Sequence, residues 1–334
     1  MIELLTGGWR AQLARVGVEL GIPDLLAGAD LTVAELSTRT AVPQNLMYRL
    51  MRGLDSIGIA ARIPDRPDGT TDAGATYALG PLGVHMVDGP GSMRDACLLY
   101  GDEFHSAWGN APVAFGSSAT GFEATYGTEL IPYLAANPPV AKRFQSALAA
   151  TSFYFDLLAD AMEVPVHGVV VDIAGGSGAL LTQVLQARPH ARGVLTDLPH
   201  MLAIADGAFA DAGLTERVTT MSVDLFRGRL PKDADIYVLS RVLGDWSDEE
   251  CERILTNIKV AMGCRSRLWI VERLTRDDGS APLATLWDLH LHVVNGGRQR
   301  SIREYQRLAE DCGLEILEDK RLPADNAALA LRLR

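Results

Sequence analysis

A glycine-rich turn beside two acidic residues is the first place in this sequence where ligand chemistry is expected. The stretch "VVVDIAGGSGALLTQVL" reads as a buried strand with Asp172 near its end, a turn and a helix. Backbone N–H groups at such a helix start carry partial positive charge, so the turn favours an anionic or polar ligand group. Asp197 follows 25 residues later at the end of the next predicted strand, where an acid accepts hydrogen bonds from a ribose diol. Its spacing fits an N-cap for the helical run after Pro199 equally well.

The turn departs from two common nucleotide-binding patterns. In the dinucleotide fingerprint G-x-G-x-x-G, the last glycine allows close packing of helix and strand. Counted from Gly176 and Gly178, that position is Leu181. The triphosphate pattern G-x-x-x-x-G-K-[ST] does not occur in the sequence. The best remaining candidate is a ligand with a small carboxylate end and a ribose.

The segment "VLSRVLGDWSDEE", residues 238–250, is a second place where chemistry is expected. It starts as a buried strand, and Ser247 with Glu250 three residues later gives a capping-box signature for a helix. In α/β sheets, ligands bind just past the carboxyl ends of strands, so a reactive side chain is expected at this junction. The residue there is Gly244, which can take no proton.

Both segments belong to a predicted α/β domain. From about residue 165 onward, helical runs separate five strand-like runs: "GVVVDI", "RGVLTD", "VTTMSVDLF", "ADIYVLSRV" and "SRLWIVERL". This alternation predicts βαβ units and a parallel sheet. The chain closes with a helical run, "SIREYQRLAEDCGL", and two further strand-like runs, "EILEDKRL" and "AALALRLR".

The first hundred residues follow a different pattern. Three helical runs are predicted between residues 9 and 60, the first continuous over "WRAQLARVGVELGIPDLL". Two strand-like runs follow around a turn cluster in "ARIPDRPDGTTDAGATYALGPLG", which completes the outline of a winged-helix module. Some modules of this outline read DNA. The helix in the recognition position, residues 43–58, has only Arg49 and Arg52 as cations among apolar residues. We therefore expect a structural or dimerising role, with a DNA-binding regulator as the alternative.

Charge and cysteine content exclude several partners. The net charge is −11 and the pI is near 5.1, whereas nucleic acids and anionic membranes attract basic surfaces. The four cysteines form no CxxC pair and have no histidine spaced to complete a zinc site. We expect no metal, nucleic acid or membrane partner. The N-terminus lacks a basic region and no apolar run reaches the roughly 18 residues of a membrane helix, which predicts a cytoplasmic protein.

Five ordered motifs give this chain a family resemblance. "DIAGGSG", "TDLP", "VDLF", "SRVLGDWSDEE" and "NGGRQRS" resemble those of the plant-type, caffeate-like small-molecule O-methyltransferases and their bacterial natural-product branch. The run "LGIPDLL…TVAELSTRTAV…LMRGLDSIGI" is similar to their dimerisation domain. The resemblance implies a winged-helix-like dimerisation domain over residues 1–100 and a homodimer. It also implies a Rossmann-like methyltransferase domain over 101–334, mostly parallel with an antiparallel last strand, whose residues 101–165 form a helical acceptor-pocket segment.

The resemblance also implies S-adenosylmethionine as the cofactor. Position by position, it assigns the methionine end to Ala174, Gly175, Gly176 and Gly178, the ribose to Asp197, the adenine to Leu198, Asp224 and Leu225, and the remaining contacts to Asp172, Ser240, Arg241 and Trp246. Ala174 stands where the family usually has glycine.

The catalytic residues of the family are only partly present. Family members use a histidine immediately before the Asp-Trp pair, oriented by carboxylates, to take the proton of a phenol. That position is Gly244, and of the two orienting carboxylates one matches Glu272 while the other is Gln299. A carboxylate that orients a base has nothing to orient when the base is missing, so the usual proton relay is broken in this sequence.

Three explanations for the broken relay remain open. Methyl transfer proceeds by positioning alone, on an ionised oxygen or on nitrogen or carbon. Alternatively, another group serves as base, the candidates being His290, His292 and His105, with Glu272 and Asp245 as further catalytic residues. Thirdly, the protein binds the cofactor but hydroxylates, decarboxylates or rearranges its substrate. His290 and His292 are two apart on a helix and point about 200° away from each other, so we favour His290 and expect no metal.

The acceptor is predicted to be a small aromatic or polyketide-like metabolite. Apolar and aromatic walls with few polar groups suit a flat ligand, although ordinary core packing explains the same residue types. The predicted wall residues are Phe104, Trp108, Phe144, Leu148, Phe153, Leu291 and Asn295.

Overall fold

The computed structural model describes residues 1–64 and 73–334. It divides into two compact units. The N-terminal unit contains Met1–Ser106 and Asn137–Thr151, and the C-terminal unit contains Ala107–Ala136 and Ser152–Arg334. Within the described residues, no helix combines the length and apolar character that crossing a membrane requires.

The bounds of the helices and strands are as follows. The α-helices are α1 (Ile2–Leu5), α2 (Gly7–Glu19), α3 (Ile22–Gly28), α4 (Val33–Thr40), α5 (Gln44–Ser56), α6 (Arg94–Gly101), α7 (Glu103–Gly109), α8 (Ala111–Gly116), α9 (Gly121–Tyr126), α10 (Leu130–Ala136), α11 (Pro138–Ala150), α12 (Phe155–Ala161), α13 (Ala179–Ala187), α14 (Pro199–Asp211), α15 (Asp248–Ala261), α16 (Pro282–Asn295) and α17 (Ile302–Asp311). The strands are β1 (Leu31–Thr32), β2 (Ala60–Arg62), β3 (Thr76–Leu79), β4 (Val169–Ile173), β5 (Arg192–Asp197), β6 (Val218–Ser222), β7 (Ile236–Ser240), β8 (Arg267–Arg273), β9 (Leu314–Arg321) and β10 (Asn326–Leu333). Short 3-10 helices span Gly83–Met86 and Leu243–Asp245.

The N-terminal unit corrects one sequence expectation. The helical run predicted over residues 9–26 is two helices, α2 and α3, so four helices rather than three lie between residues 7 and 56. The break falls at Gly21, whose φ of +68° is left-handed, and Pro23 follows in the first turn of α3. Strands β2 and β3 pair antiparallel as predicted, and β1 adds a third strand that was not predicted. The turn predicted between β2 and β3 lies partly outside the described residues.

The C-terminal unit contains the predicted mostly parallel sheet. Within the described residues this sheet has seven strands in the order β6-β5-β4-β7-β8-β10-β9. Strands β4 to β8 run parallel, and the last strand, β10, pairs antiparallel with both β8 and β9, which confirms the expected α/β class. Alternate side chains of β7 enter two apolar cores: Tyr237 and Leu239 pack in one, Ile236 and Val238 in the other. The sheet is therefore covered on both faces, and its polar groups are left at the strand ends.

A buried arginine holds the chain after β7 in place. The Arg300 guanidinium is 0% exposed and donates to Leu243 O at 2.8 Å, Trp246 O at 2.7 Å and Asp248 Oδ1 at 2.8 Å. The predicted capping box is confirmed, because Ser247 caps α15 with Glu250. These bonds fix the turn between β7 and α15, which we call the corner (residues 241–248).

We predict that Arg300→Met lowers the free energy of unfolding by about 3 kcal/mol. The substitution leaves two buried carbonyl oxygens without a donor and removes a fully buried cation from its ion pair. Denaturant unfolding measures the change. Arg332→Met is the matched control, because Arg332 is exposed and pairs with Glu315 at the surface. Equal stability of the two variants would contradict the role given to Arg300.

Candidate active site

The glycine turn after β4 is tightly folded. Ala174, Gly176 and Gly178 all have left-handed backbones, with φ of +54°, +58° and +76°. A Cβ at Gly178 would overlap the ring of Phe209, so this position requires glycine. Ala174 takes the same region with a side chain, at a cost of about 1–2 kcal/mol. The turn is strained and closely packed, as expected at a ligand-binding site.

The N–H groups of this turn are partly occupied within the protein. The Gly176 N–H donates to Asp197 Oδ2 at 2.8 Å, and the Gly178 N–H donates to Gly175 O at 3.0 Å. The Leu198 N–H donates to Asp197 Oδ1 at 2.6 Å. Leu198 itself is the N-cap of α14, so the alternative role of Asp197 as N-cap is wrong. Asp197 instead ties the end of β5 to the glycine turn.

Asp172 supplies a buried acceptor beneath the turn. Its Oδ2 is buried, and among the described residues it has no hydrogen-bond partner. Burial, reinforced by the charge of Asp197, raises the pKa of Asp172 to about 7. A carboxylate in this position favours a cationic or N–H-bearing ligand group, because such a group supplies the missing donor and stabilises the charge. An orphaned buried acceptor beside a glycine turn fits the amino-acid end of S-adenosylmethionine.

The other predicted cofactor residues lie near the ends of β5, β6 and β7. Leu198 is half-exposed, and Leu225 is partly buried. Asp224 Oδ1 accepts from the N–H groups of Phe226 and Arg227 at 2.8 and 3.1 Å, which closes a turn after β6. Because β4 to β7 are parallel, these residues share one edge of the sheet with the glycine turn.

Three predicted cofactor residues belong to β7 or the corner. Ser240 Oγ is buried and has no partner in the described part of the chain. Arg241 has a left-handed backbone with φ of +57°, and its guanidinium donates to Ser152 Oγ at 2.7 Å. Trp246 meets the ring of Phe226 edge-on at 4.8 Å between centroids.

Gly244 stands at the centre of the corner. Glu272 Oε1 accepts from the N–H groups of Val242 at 2.9 Å and Gly244 at 3.3 Å, while the Arg298 N–H donates to Gly244 O at 2.8 Å. A Cβ at Gly244 would lie 3.3 Å from Gln299 Nε2 and 3.4 Å from Glu272 Oε2. The φ of Gly244 is outside the left-handed region, so the backbone does not require glycine there. Because position 244 is a glycine, the side-chain amide of Gln299 and the carboxyl of Glu272 face the position that a side chain would occupy.

Two carboxyl groups at the corner have raised pKa values. Burial, reinforced by the charge of Asp245, raises the pKa of Glu272 to about 7. The surrounding protein removes part of the water around the Asp245 carboxyl and raises its pKa to about 6, although the residue is still exposed to solvent. The Asn295 Nδ2 amide donates to Asp245 Oδ1 at 2.7 Å and opposes the shift. Both carboxyl groups therefore bind a proton more tightly than they would in water.

His290 is buried in its neutral form. The Trp108 indole N–H donates to His290 Nδ1 at 3.1 Å. Burial, with the nearby charge of Arg273, lowers the pKa of His290 to about 4. The Arg273 guanidinium in turn stacks on Trp287, 3.9 Å from the ring centroid. Because an indole only donates, Nδ1 is unprotonated and the proton of the neutral ring lies on Nε2. This tautomer makes His290 a hydrogen-bond donor at Nε2.

The other two histidines considered as candidate bases, His292 and His105, have different surroundings. His292 contacts Ala114 O at 2.9 Å through Nε2, so its ring is tied to α8. His105 is exposed and belongs to the N-terminal unit. No group of three histidine, cysteine, aspartate or glutamate side chains that could bind a metal occurs in residues 1–64 and 73–334.

The predicted acceptor-site residues fall in both units. Phe104, Phe144 and Leu148 belong to the N-terminal unit, where the two phenylalanine rings meet edge-on at 6.5 Å. In the C-terminal unit, Trp108 is hydrogen-bonded to His290, and Asn295 is hydrogen-bonded to Asp245. Leu291 packs beside Gly244. Phe153 is exposed. The substrate-binding roles of these residues stay predictions.

Sequence reasoning missed three residues that shape the site. Arg300, Arg273 and Trp287 were given no role, yet Arg300 fixes the corner and the other two form the stack beside His290. The motif "NGGRQRS" contains Arg300, but nothing in the letters signals that an arginine there is fully buried.

Comparison with known proteins places this fold and site in a family. Residues 109–315 match the family model described as an O-methyltransferase domain. The chain is 35% identical to the 3-amino-4-hydroxybenzoate 4-O-methyltransferase of Streptomyces cremeus, over 100% of this chain and 90% of that protein. It is 32% identical to the phenazine-1-carboxylate N-methyltransferase of Pseudomonas aeruginosa, over 97% of this chain and 94% of that protein. The crystal structure of LaPhzM is 30% identical and has a TM-score of 0.87, covering 100% of this chain and 98% of that one.

The sheet, the glycine turn and the acid at the next strand end define a nucleoside-cofactor enzyme of the α/β class. The chain belongs to the plant-type O-methyltransferase family, as its motifs predicted. It is a methyltransferase, and its cofactor is S-adenosylmethionine.

We predict that Glu272 makes stability depend on pH. The pKa of this buried carboxyl is raised from 4.5 to about 7, so the folded state holds a proton that the unfolded state has lost between these values. The contribution of this carboxyl to the free energy of unfolding is complete below pH 4.5 and falls by about 3 kcal/mol as the pH rises to 7. Glu272→Gln keeps an acceptor for the two N–H groups and should make the loss of stability over this range about 3 kcal/mol smaller, while the raised pKa of Asp172 leaves a remaining slope.

Denaturant unfolding between pH 4 and 8 measures the effect. Glu318→Gln, an exposed carboxylate on β9, is the control and should leave the slope unchanged. A slope as steep in Glu272→Gln as in the wild type would contradict the role given to Glu272.

Proposed function

We propose that this methyltransferase acts on a small aromatic or polyketide-like natural-product intermediate, without a histidine base at position 244. One observation carries the proposal: Gly244 lies between Glu272 and Gln299, where the family has a histidine between two carboxylates. The relatives support the substrate class, because their names describe O-methylation of an aminohydroxybenzoate and N-methylation of a phenazine carboxylate. Both are aromatic compounds, and they leave oxygen and nitrogen as acceptor atoms.

The residues at the ends of β4 and β5 are proposed to hold the cofactor. S-adenosylmethionine supplies a methyl group on a positively charged sulfur, which makes that methyl electrophilic. Asp172 Oδ2, a buried acceptor, suits the amino group of the methionine end, and Asp197 suits the ribose. Leu198 and Leu225 offer apolar side chains to the adenine. Strain at Ala174 is consistent with a turn shaped for a ligand.

In this proposal the acceptor supplies its own nucleophile. Gly244 has no side chain to take a proton, and neutral His290 carries its proton on Nε2. Glu272 Oε1 accepts from two backbone N–H groups, and we assign its Oε2, which faces Gly244, to binding the acceptor rather than to taking the reacting proton. The acceptor therefore reacts as a phenolate or as a neutral amine, and the protein contributes mainly positioning and exclusion of water. Positioning alone is worth roughly 7–11 kcal/mol.

The test uses methyl-labelled cofactor with phenols of graded acidity and with aromatic amines. Label should be transferred, and the pH at which kcat/KM levels off should follow the pKa of each phenol, because the phenolate is the nucleophile. Gly244→His should raise the rate on weakly acidic phenols below their pKa by about 100-fold. One plateau pH shared by all phenols would indicate a protein base such as Asp245 or His105 and contradict the proposal.

Cofactor affinity, measured by calorimetry, separates binding from chemistry. Asp197→Asn loses one of the two backbone bonds to its side chain and should bind S-adenosylmethionine at least about tenfold more weakly. Tight binding without label on any acceptor would contradict methyl transfer. It would favour a relative that hydroxylates, decarboxylates or rearranges its substrate.

We also propose that the N-terminal unit forms a homodimer. Helix α1 and the start of α2 expose a run of large apolar side chains: Ile2, Leu4, Leu5 and Trp9. A contiguous exposed patch of this kind marks a protein interface more often than free surface. A second copy of the same chain is the proposed partner, in keeping with the family's dimerisation domain.

Light scattering after size exclusion tests the dimer. The wild type should have about twice the 36.0 kDa chain mass, and Leu5→Glu with Trp9→Glu should shift it to the mass of one chain. Val260→Glu places the same charge on an exposed apolar residue of α15 and should leave the dimer intact. A monomeric wild type, or a dimer unaffected by the double substitution, would contradict this interface.

A further inference from the structure

The residues packed around Gly244 include a buried side-chain amide that the described part of the chain leaves incompletely bonded. The direction in which a side chain would leave Gly244 leads between Gln299 Nε2, 3.3 Å from the Cβ position, and Glu272 Oε2, 3.4 Å from it. Gln299 is 5% exposed, and its Oε1 has no hydrogen-bond partner within the described residues. Buried side-chain amides are normally fully bonded, so an orphaned one at an enzyme's corner indicates a partner that comes from outside the chain.

Gln299 is firmly held in this position. Its backbone N–H donates to Asp288 Oδ1 at 2.7 Å. On either side, the Arg298 N–H bonds Gly244 O and the Arg300 guanidinium bonds the carbonyls of the corner. The backbone therefore cannot shift to satisfy the amide, and the amide is preorganised for a ligand.

The remaining walls define the chemistry of that ligand group. Gln299 offers Nε2 as a donor and its unpartnered Oε1 as an acceptor, and Glu272 Oε2 is a second acceptor, while Leu291 Cδ1, 3.3 Å from the Cβ position, adds an apolar contact. An uncharged hydroxyl or amino group both accepts and donates, so it matches the pair. A carboxylate would bind poorly, because the negative charges of Glu272 and Asp245 would repel it. Asp245 is exposed and Leu291 is partly exposed, which leaves an approach from outside.

We propose that a hydroxyl or amino substituent of the acceptor, separate from the group that is methylated, enters beside Gly244 and is recognised by Gln299 and Glu272. The inference rests on the proposed function, because it assigns a specificity site within it. Glycine at position 244 then has a positive role, because a Cβ there would press on Gln299 Nε2 at 3.3 Å and on Glu272 Oε2 at 3.4 Å, and its absence leaves both groups accessible to the substituent.

The experiment compares acceptors that differ only next to the reacting group. A phenol with an ortho hydroxyl or amino group should exceed its ortho methyl counterpart by about 30-fold in kcat/KM, and the ortho carboxylate should be poorest. Gln299→Leu should reduce the preference to less than about threefold. Gln306→Leu, the same change on the exposed face of α17, should preserve it.

A second variant and a binding measurement keep the proposal testable. Gly244→Ala has an allowed backbone and fills the entry, so it should weaken the hydroxyl and amino acceptors about tenfold while sparing the methyl one. Calorimetry measures the affinity of the same acceptors for the cofactor-loaded wild type, whether or not a methyl group is transferred. This measurement separates the inference from the proposed function. Equal binding of hydroxyl, amino and methyl acceptors, or a preference unchanged in Gln299→Leu, would overturn it.

Discussion

The site depends on one interaction: the buried carboxyl of Glu272 accepts hydrogen bonds from two backbone N–H groups. These bonds join the corner after β7 to strand β8, and Arg300 fixes the same turn through its carbonyl groups. With both N–H and C=O groups of the turn bound, Gly244 and Gln299 are held facing each other. The structure thus keeps the framework that would position a base, although the residue at its centre has no side chain.

The molecule places two pairs of acids at one edge of its sheet, and the two pairs serve different ends. Asp172 and Asp197 lie under and beside the glycine turn, where in the proposed function they bind the amino and ribose groups of the cofactor. Asp245 and Glu272 lie at the corner, where burial raises the pKa of Glu272 to about 7. In the proposed function this second pair orients and selects the acceptor, whose own ionisation supplies the nucleophile.

Local patterns in the sequence predicted the parts of the fold that local interactions determine. The strand, glycine turn and helix around Asp172 and the capping box at Ser247 need only neighbours within about twenty residues. The left-handed break at Gly21 was missed because its flanking apolar residues continue the helical spacing. The burial of Arg300 and the bond between Trp108 and His290 were also missed, since they join residues 57 and 182 positions apart. Chemistry that depends on such contacts, including the tautomer of His290, is visible only in three dimensions.

A crystal structure with S-adenosylhomocysteine and a hydroxyl- or amino-bearing acceptor would show whether a protein base reaches the reacting atom. We expect the ribose on Asp197, the acceptor's substituent between Gln299 and Glu272 beside Gly244, and no protein base at the reacting atom. A histidine nitrogen within hydrogen-bonding distance of that atom, or a cofactor bound away from the glycine turn, would contradict it.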